Sequence, residues 1–68
     1  MNEFIKFIDQ NIEVWEERRK AIKESLINAN KEEEDDIAES LIIANISIET
    51  LKILKEEYIK KQNEKESK

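Results

Sequence analysis

Residues 28–37 read Asn28-Ala29-Asn30-Lys31-Glu32-Glu33-Glu34-Asp35-Asp36-Ile37, and the reading of this stretch decides the fold. Before it, Ile5, Ile8, Ile12, Trp15, Arg19, Ile22, Leu26 and Ala29 recur at alternating spacings of three and four, the seam of a heptad repeat. Carried on through the acidic run, that register would land on Glu33, Asp36, Ser40, Ile43, Ser47 and Thr50, which are mostly polar. The second half follows Ile37, Leu41, Ala44, Ile48, Leu51 and Tyr58 instead, a seam displaced by one residue. A slip of phase beside asparagines and a block of acids marks a turn. Asn30 with Glu33 three residues on resembles a capping box, and carboxylates suit the positive end of a helix dipole. At the chain start, Asn2 followed by Glu3 reads the same way, as an N-cap with an acidic first turn.

The expected fold is therefore all-α, an antiparallel helical hairpin in a single domain of 68 residues. Helix 1 covers about residues 2–29, the turn about 28–33 and helix 2 about 33–60. A tail over 61–68, with no apolar anchor, is expected to fray. The competing reading is one continuous coiled coil with a stutter at the slip. The residue alphabet agrees with helices in either case. Charged residues make up 43% and hydrophobic ones 38%, with no Gly, Pro, Cys or His. Without Gly and Pro, tight β-turns and phosphate-cradling loops are hard to build, while Glu, Lys, Leu and Ala favour helix.

Helix 1 has one apolar side. Phe4 and Phe7 widen its seam near the N-terminus, and Lys6, Asp9, Glu13, Glu17, Lys20 and Glu24 occupy the opposite face. Helix 2 is apolar on two sides. Leu54 joins Ile37, Leu41, Ala44, Ile48, Leu51 and Tyr58 on one face, and Ile42, Ile46 and Ile53 form a second stripe. A narrow strip around Asn45, Glu49, Lys52 and Glu56 is cleanly polar. A helix apolar on two sides is covered on two sides, and helix 1 can cover only one of them. For a chain this small, area gained and ordering entropy nearly cancel, which favours self-association. The expected assembly is a homodimer that forms a four-helix bundle. Its oligomer or partner interface is expected at Ile42, Ile46 and Ile53 together with Trp15 and Arg19. Arg19 sits inside the helix 1 seam, where pairing with a carboxylate across the bundle would fix register, the rival being a guanidinium that snorkels past the edge. Lys55 poses the same question on helix 2.

The chemistry of catalysis is missing. There is no His or Cys, Ser25, Ser40, Ser47 and Ser67 have no His to activate them, and most carboxylates fall on solvent faces. No catalytic, cofactor or metal site is expected. The acidic run 32–36 lacks the alternation and the Gly of a calcium loop, and di-iron bundles need Glu-x-x-His. With no Cys, no apolar leader and a longest apolar run of only residues 41–44, a cytoplasmic chain is expected and no membrane span. A net charge of −5 weighs against general attraction to nucleic acid or anionic lipid. Arg18, Lys20 and Lys23, beside Arg19 and just after Trp15, form the one dense basic cluster and the alternative RNA contact.

The segment Asp36-Ile37-Ala38-Glu39-Ser40-Leu41 resembles the matching stretch of the Rop family, plasmid RNA-binding copy-number regulators. That resemblance implies a helical hairpin dimerising into an antiparallel four-helix bundle. The family reads kissing RNA hairpins with an outer face of helix 1 centred on a Phe. The comparable part of this chain offers Gln10, Val14 and Arg18 with no aromatic in that place, so no RNA-binding residue is carried over.

The function expected is that of a non-catalytic interaction or regulatory protein binding a protein partner as a helical-bundle oligomer. One form of this is a phage- or plasmid-type inhibitor of a host factor, its surplus carboxylates imitating nucleic-acid phosphates. The alternatives are a Rop-like RNA-binding modulator and a purely structural oligomerisation module.

Overall fold

The computed structural model describes residues 2–66 and contains two helices, α1 (Glu3–Ile27) and α2 (Lys31–Glu66), packed against each other as a hairpin. Asn2 caps α1, its side-chain oxygen accepting from the backbone N–H groups of Phe4 (2.9 Å) and Ile5 (3.3 Å). The turn is shorter than the sequence implied, and it needs no glycine. Asn28 ends α1 at φ −97°, ψ 1°, and no described residue has a positive φ. The Ala29 N–H donates to the Leu26 carbonyl at 3.3 Å, and the Asn28 amide donates to the Glu24 carbonyl at 3.1 Å. Asn30 then opens α2. Its Oδ1 accepts from the Glu33 N–H at 3.0 Å while its Nδ2 donates to the Glu33 carboxylate at 3.4 Å. The acids of the first turn, Glu32, Glu33 and Glu34, lie where the helix dipole favours them.

The seam between the helices is the heptad stripe. Ile5, Ile12, Trp15, Arg19, Ile22 and Leu26 are half-buried on α1, and Ile8 is fully buried. On α2, Ile37, Leu41, Leu51 and Tyr58 are half-buried, with Ala44 and Ile48 fully buried. Leu54 is a correction: it does not face α1 but stands 46% exposed. The seven-residue repeat passes through Lys55, whose ammonium bonds the Asp9 carboxylate of α1 at 2.7 Å. Its four-carbon stem can pack along the seam while its charge reaches the edge. At the open end, Phe4 tilts against Tyr58 with ring centroids 4.6 Å apart, and Asn2 donates to the Tyr58 hydroxyl at 2.9 Å.

The second helix is longer than expected. Helix α2 does not end near residue 60 but extends to Glu66, and the remaining two residues of the expected tail lie outside the described ones. Lys, Gln and Glu are good helix formers, no Gly or Pro stops them, and half-buried Gln62 prolongs the seam repeat. Because Tyr58 sits level with Asn2, the last turns of α2 project beyond the start of α1.

The hairpin is slender, 57 × 17 × 11 Å with a radius of gyration of 16.3 Å, against about 11 Å for a compact chain of this length. Nitroxide labels at Gln10 and Glu56 should therefore lie well under about 30 Å apart. A continuous rod would hold them about 70 Å apart, and a distance of that size would reject the turn.

Candidate functional site

With three buried residues among those described, the hairpin leaves much apolar surface uncovered. On α2, Ile42, Ile43, Ile46, Ile53 and Leu54 are 58%, 52%, 60%, 56% and 46% exposed. At about 100° per residue, Ile42, Ile46 and Ile53 fall within about 40° of one another on the side turned away from α1. Ile43, Thr50 and Leu54 carry this outer face round toward the flank where Phe4 meets Tyr58. There Phe7 and Val14 of α1, also well exposed, extend it. From residue 40 to residue 54 the face contains no charge on α2, though Glu49 borders it.

The other flank is built differently. Asp9, Ile12 and Glu16 from α1 and Lys52, Lys55, Glu56 and Ile59 from α2 line an open groove there. The Asp9–Lys55 pair spans it, half-exposed at both ends, and such a pair contributes at most about 1 kcal/mol. The molecule is thus amphipathic as a whole, one flank charged and the outer face of α2 apolar.

The sequence-derived interface residues separate into two groups. Ile42, Ile46 and Ile53 share the outer face of α2, as the second stripe required. Trp15 and Arg19 lie in the seam between the helices, half-buried and apart from that stripe. Arg19 does not pair with a carboxylate: its Nη1 donates to the Asn45 side-chain oxygen on α2 at 3.3 Å. The carboxylate partner across the hairpin belongs to Lys55 instead. The exposed surface also takes in Phe7, Val14, Ile43 and Leu54, which the interface expected from sequence leaves out. Phe7 and Leu54 fall outside the strict heptad spacing of the seams, and spacing is the signal that places them on the surface.

The basic cluster does not form one patch. The Arg18 guanidinium lies over the Trp15 ring, 5.0 Å from its centroid, a cation–π contact on the apolar flank. Lys20, two residues on, points to nearly the opposite side of α1, and only Lys20 and Lys23 are one turn apart on a shared side. All three residues are exposed. Among the described residues no group of His, Cys, Asp or Glu comes together in a way that could hold a metal ion, and no helix is long and apolar enough to cross a membrane. Comparison with protein families, with curated proteins and with solved structures finds no match for this chain.

Proposed function

We propose that this chain is a non-catalytic interaction module that assembles through α2 into a helical-bundle oligomer and in that form engages a protein partner. One observation carries the reading: five large aliphatic residues of α2 stand about half exposed, three of them on the side turned away from α1. Exposed apolar patches of this kind mark contact surfaces. The charged flank and the acidic turn would remain outside such a bundle, where a protein partner could read them. An RNA-binding role has less support, because Arg18 lies away from Lys20 and Lys23.

Sedimentation equilibrium and thermal melts over a range of concentrations test the proposal. The chain should sediment as a dimer or a higher even oligomer at micromolar concentration, with a midpoint that rises with concentration. A monomer whose melting is independent of concentration would overturn the assembly.

A further inference from the structure

Resting on the reading of α2 as the assembly surface, we infer that its occupant is a second copy of this chain, whose α2 lies antiparallel along the first about a two-fold axis near residue 48. The apolar stretch decides the centre. Helix α2 runs over Lys31–Glu66, so its midpoint falls between residues 48 and 49. The exposed aliphatic residues of the outer face extend from Ile42 to Leu54, centred at the same place, while Ile59, 40% exposed, lies on the charged flank. A stripe centred on its own helix matches itself when turned end for end, which is what an isologous two-fold contact requires. In that arrangement Ile43 comes opposite Ile53 of the second copy, with Ile46 beside Thr50.

Charge decides the direction. Residues 32–39 carry six acidic side chains and no basic one, whereas residues 58–65 carry three lysines and one acid, Glu64. Parallel helices would lay the two acidic ends side by side. Antiparallel helices about this axis set Asp35 and Asp36 of each copy opposite Lys61 and Lys60 of the other, while Glu39 meets Glu57 and Lys31 meets Lys65. Asp35, Asp36, Lys60 and Lys61 are all exposed. The overhang of α2 past Tyr58 brings the lysines clear of the chain's own α1, where a second chain can reach them.

The hairpin has surface to spare. It exposes 5731 Å², whereas a compact protein of 8.1 kDa exposes about 4,500 Å². The excess, about 1,200 Å² over the whole slender molecule, compares with the roughly 800 Å² per partner that a standard stable interface covers.

Introduced cysteines test the arrangement cleanly, because the chain has none of its own. Single variants Asp35→Cys and Lys61→Cys are mixed, equilibrated and treated with a short bis-maleimide, and the oligomeric state is measured by sedimentation. The expected result is a dimer in which the 35–61 cross-link predominates over 35–35 and 61–61. A dimer dominated by 35–35 and 61–61 cross-links would overturn the antiparallel pairing and leave the bundle reading standing. A dimer giving none of the three would place the contact elsewhere and likewise overturn it. A monomer throughout would remove both. As a second measurement, Lys60→Glu with Lys61→Glu should weaken the dimer about fivefold to tenfold. Mixing that variant with Asp35→Lys plus Asp36→Lys should restore the affinity. Equal affinity for every pairing would show that these charges do not face one another.

Discussion

Replacing Ile48 with alanine is expected to lower the stability of the hairpin by about 2–5 kcal/mol, which for a chain this size approaches the whole of it. Ile48 is 1% exposed and is one of three buried residues among those described, with Ile8 and Ala44. Truncation removes three carbons from the seam, and the two helices cannot close the gap without moving the half-buried side chains above and below it. Circular dichroism melts read the loss. The control is Ile27→Ala, at the end of α1, where the side chain is 82% exposed and the expected change is within about 0.5 kcal/mol. If the Ile48→Ala variant melted with the parent, the α1–α2 seam would not be what holds the chain together.

The same seam explains how much of the fold was legible beforehand. The turn could be read because the heptad phase slips at a place where Asn30 and Glu33 can cap a helix, and those two side chains do meet. The inner stripe could be read because spacing alone defines it. What failed were the steps that let residue character override spacing. Leu54 was drawn into the seam because it is apolar, although the repeat runs through Lys55. The expected end of α2 near residue 60 follows from where the apolar residues stop, although helix propensity and the Gln62 position carry α2 onward to Glu66.

The cross-hairpin partners were out of reach for a different reason. Asp9 with Lys55 and Arg19 with Asn45 share one register centred on residue 32, whereas the connection is centred on residue 29, so each pair depends on the turn's length and on how the chain leaves it. A turn of about six residues and the observed three-residue connection set different residues opposite each other. Arg19 finds an amide in place of a carboxylate, and at the edge of a half-open seam this is enough, since its charge keeps contact with water. The outer stripe, in contrast, needed no register. It follows from α2 alone, and Ile42, Ile46 and Ile53 stand exposed in the hairpin.

That stripe carries the second large effect. Ile46→Glu is expected to weaken assembly by roughly 3 kcal/mol or more, because each copy then brings a carboxylate that must lose its hydration with no cation opposite it. In the free hairpin the same change should be nearly neutral. Ile46 is 60% exposed there, and glutamate is at least as good a helix former as isoleucine. The variant therefore separates assembly from folding: sedimentation should shift toward monomer, and helicity should fall only as far as the monomer is less stable than the bundle. Glu13→Lys, an exposed change on α1 away from the stripe, should alter stability by less than about 0.5 kcal/mol and leave the oligomer intact. An Ile46→Glu protein as oligomeric and as stable as the parent would show that the outer face of α2 meets water in the assembled state. The antiparallel pairing and the assembly through α2 would then both fall, and the apolar flank at Phe7, Val14 and Leu54 would be the surface left to explain.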